Sequence, residues 1–502
     1  MKWKSGLKEE MRQVREKEEI NYDLLEKSMV DQDKHRLDDV TWNDLEMDQV
    51  YYKLNRTYTL PGEEVLYQWL RQPTTKEEEL DHRRKQLKEV RGWPRGIGKD
   101  LDKVGHFKQD YRQVIREAKT QEKSYGPLIC YSLIFLSICL FVLSKFALCF
   151  VGIIGGMIGL LVIHYSFEAS NKYKIENYAY ILKIVSFYLK YTRICHGFAQ
   201  SDQEARGWDR LAGDLVKHKG SLTRIEGLNP LVDIGAVFSL SLYKDLRGVE
   251  NLVKDHKEDL VNLISAVGHL DMIMSVQAYQ ATTDHLCQAR LKDDKRDLQI
   301  QEGSHILIPT CVKNSMNLGE SIVITGSNMG GKSSFLRMIG VNTVLAQALG
   351  FCHAKSYQGG FFKILSSISL KDDIQSGKSY FMREAEAIHR MIQGVEADDQ
   401  HLLLIDEIFK GTNPSERLAA SVEILNLLAS RARVMVTTHD IGILPDLEGY
   451  KFYHFEHHID RNRMDFDYVI REGITEVRNA IKLMTHIRYP APLIKKINDR
   501  IG

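Results

Sequence analysis

The chain of 502 residues has almost no excess of either charge: 68 Lys and Arg stand against 67 Asp and Glu, a net +1. That excludes a globally basic binder of nucleic acid or membrane surface, and any such binding falls to a local patch. Cysteine is scarce. The seven lie at 130, 139, 149, 195, 287, 311 and 352, an odd number with no C-x-x-C spacing. This excludes a zinc or secreted disulfide framework and points to a reduced, cytosolic setting for the soluble parts. There is no internal repeat or low-complexity tract, and no signal peptide, since Met1 to Lys27 is a charged, helix-favouring run. One stretch lacks charge itself. From Pro127 to Tyr165 the only permanent charge is Lys145.

That charge-poor run is nearly twice the ~20 apolar residues a spanning helix needs, so it reads as a transmembrane helical hairpin. One helix is expected from about Leu128 to Leu143 and a second from about Phe146 to Ile163, with Ser144-Lys145 as the turn. Arg112, Arg116, Lys119 and Lys123 precede it, and Lys172 and Lys174 follow. Positive flanks place both ends in the cytoplasm, giving a two-helix membrane protein with cytoplasmic N- and C-terminal domains. The alternative is a buried helical hairpin in a soluble core. Gly152, Gly155, Gly156 and Gly159 form two overlapping G-x-x-x-G patterns, read either as close helix contacts or as tolerated glycines.

Length allows about three domains. The expected organisation is a charged helical segment (1–40), a first helical part (41–126), the hairpin (127–165), a second helical part (166–300) and an α/β domain (301–502). Leu242 to Tyr279 is a long amphipathic pattern. From about 301, short β-rich runs alternate with helical ones: Ser321–Thr325, His401–Ile405 and Val434–Thr437.

The α/β part carries chemistry. "TGSNMGGKSSFLR", Thr325 to Arg337, follows an apolar strand, and Gly326, Gly331, Lys332 and Ser333 fit G-x-x-x-x-G-K-[ST]. Such a loop turns backbone N–H groups around phosphate oxygens and aims a helix N-terminus at the same anion. Lys332 is expected on the β- and γ-phosphates of ATP and the Ser333 hydroxyl on Mg²⁺. In "HLLLIDEIFKGTNPSER", an apolar strand ends in Asp406 and Glu407. Asp406 is expected to hold Mg²⁺ through water, and Glu407 to orient or activate the attacking water. His439 ends the strand in "RVMVTTHD" and is placed to sense or polarise the γ-phosphate. "YHFEHHID", Tyr453 to Asp460, reads as an alternating β-strand rather than a metal cluster.

These residues resemble the ATPase domain of the MutS family of DNA mismatch repair proteins. The loop is similar to that family's T-G-P-N-M-G-G-K-S-T, with Ser327 in place of proline and Ser334 in place of threonine. "DDIQSGKSYFMREA" resembles its D-D-L-x-S-G-x-S-T-F-M-x-E segment, "IDEIFKGTNPSERLAAS" its D-E-x-G-R-G-T-S, and "TTHD" its switch histidine. "NRTYTLPGEEVLYQWLRQP" and "GHLDMIMSVQAY" are similar to its core-domain helices. The resemblance implies an α+β multidomain fold: a helical core and lever with the transmembrane hairpin inserted, then an α/β P-loop ATPase domain of ABC type. It implies that Gly326, Ser327, Asn328, Met329, Gly330, Gly331, Lys332, Ser333 and Ser334 bind nucleotide. It also implies a homodimer in which Ser379 reaches the partner's nucleotide in trans.

Departures from the family pattern are equally informative. A charge-rich segment of about 40 residues precedes the core, too short for the mismatch-reading domain. No aromatic wedge, connector domain or C-terminal nuclease-like module is visible. The hairpin falls where the family sends lever helices towards a DNA clamp, so helices 100–125 and 166–195 are expected to carry it as a membrane stalk.

Three functions follow as expectations. One is a membrane-tethered, Mg²⁺-dependent ATPase acting on mismatched or branched DNA. Another is an ATP-driven machine coupled to the lipid bilayer and acting on a lipid, peptide or protein partner without DNA. The third is a regulatory ATPase whose helical part binds a protein. Arg206, Arg210, Lys217, Lys219 and Arg224 are interleaved with Asp202, Glu204, Asp209, Asp214 and Glu226, which weighs against a strong duplex-binding face.

Overall fold

The computed structural model describes residues 20–29, 35–89, 94, 96–119, 132, 134–135, 138, 146–223, 241–326, 330–368, 380–398, 400–409, 414–460, 463–474 and 489–501. They fall into two compact units that interleave along the chain. The first takes Met1–Val30, Arg56–Leu66 and Gly92–Ala278, and the second Asp31–Asn55, Tyr67–Arg91 and Tyr279–Gly502.

The first unit is helical. Its longest element is one unbroken helix, Phe146–Lys190. This corrects the expected stop near Ile163: no proline or charged turn interrupts Val162 to Glu168, so nothing ends the helix there. The expected first membrane helix lies outside the described residues, apart from Ser132, Ile134, Phe135 and Ile138, which are helical. Most of the charged N-terminal segment also lies outside them. What is described there is a helix at Tyr22–Lys27, capped by the Asn21 side chain on Leu24 N. Helix Asp202–Val216 starts with a reciprocal capping pair. Ser201 Oγ accepts from Glu204 N at 3.2 Å, and Glu204 Oε2 accepts from Gln200 N at 2.7 Å. It buries Ala205, Trp208, Leu211, Ala212 and Leu215, an apolar stripe at helical spacing. The long amphipathic pattern is two helices, Ser241–Asp255 and Lys257–Thr282, parted at His256.

Helix Lys257–Thr282 is bound to the Arg56–Leu66 segment by a buried carboxylate. Asp271 accepts hydrogen bonds from Tyr58 N at 3.0 Å, Thr59 N at 2.8 Å and Thr59 Oγ1 at 2.7 Å. Gly62 is glycine for the same reason, since a Cβ there would lie 2.3 Å from Asp271 Oδ2. Burial of Asp271 raises its pKa to about 6, against the lowering effect of these donors.

The second unit is α/β. Its main sheet contains β5 (Ser321–Thr325), β8 (Lys363–Ser367), β9 (His401–Asp406), β10 (Arg433–Thr437), β11 (Tyr450–Asp460) and β12 (Arg463–Glu472). The spatial order is β12-β11-β5-β10-β9-β8, parallel throughout except for the antiparallel edge strand β12. A second sheet joins β2 (Arg290–Leu291), β7 (Ser356–Gly359), β3 (Leu298–Gly303) and β4 (Asn314–Leu318). A two-stranded ladder pairs β1 (Cys287–Gln288) with β6 (Phe351–Cys352). "YHFEHHID" is strand, as its alternation predicts.

Strand β9 is apolar on both sides because both faces of the sheet are covered. Leu403 and Ile405 pack with helices Tyr380–Ala397 and Pro414–Arg431. On the other face, helix Lys332–Leu349 comes so close that a Cβ at Gly340 would lie 2.7 Å from Leu404 Cδ1. That helix is almost wholly buried, so its polar side chains must be paired. Asn342 donates to Ser304 O and accepts from His353 N at 2.7 Å. Gln347 donates to Thr74 O and Phe362 O and accepts from Phe362 N at 2.9 Å. These bonds fix the rotation and depth of the helix whose first turn carries the phosphate loop.

Candidate nucleotide site

Strand register brings the site together. Asp406 lies level with Thr437, and Thr437 with Ile324, so three strands end at one height. The phosphate loop leaves β5, beside the central β10, and the ligand crevice of a parallel sheet lies beyond such strand ends. Gly326 has φ +125°, and a Cβ there would sit 2.8 Å from the Phe455 carbonyl. Gly331 has φ +93° and caps helix Lys332–Leu349. Both positions demand glycine.

The side chains converge. Lys332 is 1 % exposed, and its ammonium donates to Gly326 O at 2.6 Å. Ser333 Oγ donates to Asp406 Oδ2 at 2.6 Å, while Thr437 Oγ1 donates to Asp406 Oδ1 at 2.5 Å. Thr437 thus orients the carboxylate, a role the motif reading did not give it. Glu407 follows in a left-handed backbone, φ 62°, and its N–H donates to Thr437 O at 3.2 Å. A non-glycine residue there costs on the order of 1–3 kcal/mol, offset here by burial of the next two side chains, Ile408 and Phe409. His439 Nε2 is 2.9 Å from Glu407 Oε1 and 3.2 Å from Lys332 Nζ. One ring nitrogen cannot donate to the carboxylate and accept from the ammonium at once, so the Glu407–His439–Lys332 row has two proton arrangements.

Lys332, Ser333, Asp406, Glu407 and His439 are therefore brought to one place, as the motifs predict. Gly330 and Gly331 lead into the helix. Ser327, Asn328, Met329 and Ser379 lie outside the described residues. Ser333 Oγ and the Asp406 carboxylate are hard oxygen donors side by side, and that set fits Mg²⁺.

The motifs did not show where a base would sit. Beside the loop is a cavity of about 360 Å³, lined by Ser334, Phe335, Met338, His305, Phe455 and Tyr468 among others. Phe335 and Phe455 meet edge to face at 5.9 Å. Asn314 holds the Tyr468 strand in place, donating to Tyr468 O and accepting from Ile470 N. Burial, with Arg337 and Lys53 nearby, lowers the His305 pKa to about 4, so this wall is neutral at pH 7. The walls come from four separate stretches of chain, which explains why no local pattern announced them.

Residues 322–501 match the family model for MutS domain V. Over 255 residues the chain is 28 % identical to Endonuclease MutS2 of Streptococcus gordonii, covering 48 % of this chain and 32 % of that protein. Over 206 residues it is 32 % identical to DNA mismatch repair protein MutS of a Synechococcus strain, covering 38 % of this chain and 23 % of that protein. A third relative, DNA mismatch repair protein MutS of Natronomonas pharaonis, is 25 % identical over 273 residues, 52 % of this chain and 31 % of that protein. The chain thus spans about a third or less of the length of these relatives. The domain V match lies over the phosphate loop, the carboxylate strand and the histidine strand, so this part of the chain is a region of MutS domain V type.

Proposed function

We propose that this chain is a membrane-anchored, Mg²⁺-dependent ATPase that works as a homodimer through its α/β units. The observation that carries the catalytic part is the convergence of Lys332, Ser333–Asp406 and Glu407–His439 at the ends of three adjacent parallel strands. The triphosphate of ATP lies over the first turn of helix Lys332–Leu349. Lys332 and the loop amides bind the β- and γ-phosphates, and the adenine enters the cavity lined by Phe335 and Phe455. Ser333 and Asp406 would hold Mg²⁺, which would supply charge neutralisation on the phosphate oxygens. Glu407 orients the attacking water and takes its proton. His439, hydrogen-bonded to Glu407, links that carboxylate to the γ-phosphate position. Ser379 of a second copy donates to the same phosphate, so closure of the dimer depends on ATP.

The membrane part rests on exposed apolar surface. In helix Phe146–Lys190, Ile154, Ile158 and Val162 are each more than half exposed. Such a face is stable in lipid and costly in water. DNA of branched or mismatched form is the second reading, favoured by the names of the relatives. Against it, several basic residues of the middle region are already engaged. Lys217 pairs with Asp214 at 2.7 Å, and Lys219 donates to Ser186 Oγ at 2.9 Å.

The test is equilibrium binding of Mg-ATP to detergent-solubilised wild type and Lys332→Ala. The variant is expected to lose binding by at least about 100-fold, as removal of a charged phosphate partner predicts. Equal affinity in the two proteins sinks the assignment. Salt-dependent binding to homoduplex, mismatched and branched DNA separates the second reading, and a flat response to all three removes it.

A further inference from the structure

We propose that Cys287 and Cys352 are an oxidation site: a dithiol that closes to an intramolecular disulfide by exchange with a small-molecule disulfide such as oxidised glutathione. The two residues are 65 positions apart in sequence but directly opposite in the antiparallel β1–β6 ladder. Their sulfurs are 3.5 Å apart. Directly opposed residues in such a ladder have Cα atoms about 4.5–5.5 Å apart. A disulfide accepts Cα separations of about 4.4–6.8 Å, so side-chain rotation alone closes the bond.

The two thiols differ in ways that assign their roles. Cys352 is fully buried, whereas Cys287 is partly exposed. The hydrogen bond from Cys352 lowers the Cys287 pKa, and burial raises that of Cys352. Cys287 is thus the attacking thiolate. It bonds to one sulfur of the oxidant and expels the other half as a small thiolate. Cys352 then gives up its proton, attacks the Cys287 sulfur and expels the second small thiolate. Two protein thiols are oxidised by two electrons, one small disulfide is reduced to two thiols, and no other reactant is needed. Transient disulfides of this kind are the sort found in reducing compartments.

The placement gives the bond a consequence. Cys352 comes two residues after Gly350, which caps the helix that begins at Lys332. The closed loop would contain β3, β4, β5, the phosphate loop and that entire helix. Cross-linking so long a span restricts the unfolded chain and raises the unfolding temperature of the α/β unit.

The experiment uses the full chain in detergent, titrated with oxidised glutathione, alkylated and digested. A Cys287–Cys352 linked peptide, a loss of two hydrogens in the intact mass and reversal by dithiothreitol are expected. The oxidised protein is expected to unfold several degrees higher, about the shift a loop of this size gives. Cys352→Ser is expected to accumulate a glutathione adduct on Cys287 and form no linked peptide. Absence of the linked peptide in wild type, at an oxidant excess that closes a control dithiol, overturns the proposal. So does Cys287 staying free of glutathione in Cys352→Ser. The wild-type peptide map needs no variant to fold and is independent of nucleotide binding, so it fails or succeeds separately from the ATPase reading.

Discussion

Among the described residues, two helices are long and apolar enough to cross a bilayer, and they meet opposite surroundings. In the stretch Ile153–Lys190, the most apolar window is 11 % buried; in Lys257–Thr282 it is 72 % buried. Composition does not separate them, since their mean hydropathies are 1.4 and 1.3. Partners do. Helix Lys257–Thr282 has a carboxylate near its middle, Asp271, whose oxygens are filled by Tyr58 and Thr59. The helix is therefore bound to protein on the face that carries its polar group. Helix Phe146–Lys190 changes character along its length. Ile154, Ile158 and Val162 are exposed, whereas Ile181, Leu182, Ile184 and Val185 are buried in the helical unit. The same periodic apolar code serves a protein core at one end and, in our reading, lipid at the other.

Substitutions can sharpen that contrast. The largest effect is expected from Leu270→Asp, which puts an unpaired carboxylate at a fully buried position of the core helix. A loss of about 3–5 kcal/mol is expected, enough to unfold the helical unit, seen as collapse of hydrogen-exchange protection in its peptides. Ile158→Asp should leave the fold intact and move the protein out of vesicles. An aspartate in a spanning helix costs about 2.5–3.5 kcal/mol, roughly a hundredfold in a flotation partition. If Ile158→Asp floats like wild type, the exposed face does not meet lipid. Gly62→Ala comes next. Its Cβ would press on Asp271, and a cost of about 1–3 kcal/mol in urea unfolding is expected. No change there would mean that the segment shifts freely.

The smallest effect is a pH response of opposite sign in the two units. Asp271 has a raised folded-state pKa, about 6 against an ordinary 3.8, so its favourable contribution is complete below about pH 4 and lost as pH rises through 6. In the α/β unit, burial lowers His305 and His353 to about 4. Their contribution is complete above about pH 6.5 and lost as pH falls through 4. Hydrogen exchange measured between pH 4 and 7 should therefore show these groups stabilising the helical unit on acidification and destabilising the α/β unit. The same direction in both units contradicts the assignment. In the catalytic arm, Glu407→Gln should bind ATP yet lower hydrolysis by about 10²–10⁴-fold, as loss of a general base predicts. Undiminished turnover would remove Glu407 from that role.

Much of the site was legible because it is local. Gly326 to Ser334 is one contiguous stretch of sequence running from the end of strand Ser321–Thr325 into helix Lys332–Leu349, and Asp406-Glu407 lie at the end of a single apolar strand. Their chemistry is written in residue order, and parallel strand register did the rest. The helical segments at Thr59–Gly62 and Asp271 were also visible as separate patterns, though not as a hydrogen-bonded pair. The uninterrupted course of the long helix through Ile163 was missed. A helix carries no stop signal when its apolar residues give way to helix-favouring ones such as Glu168, Ala169 and Lys172.

The sequence by itself therefore determined the glycine-rich loop, the paired carboxylates, the strand-end histidine and the alternation of strands and helices. Each is encoded within one turn or one element. Only the tertiary structure decided which apolar helix is core, which side chains enclose the cavity beside Gly331, that Thr437 holds Asp406, and that Cys287 faces Cys352. Those facts depend on contacts between residues distant along the chain, and pairwise packing and burial set such contacts while spacing does not.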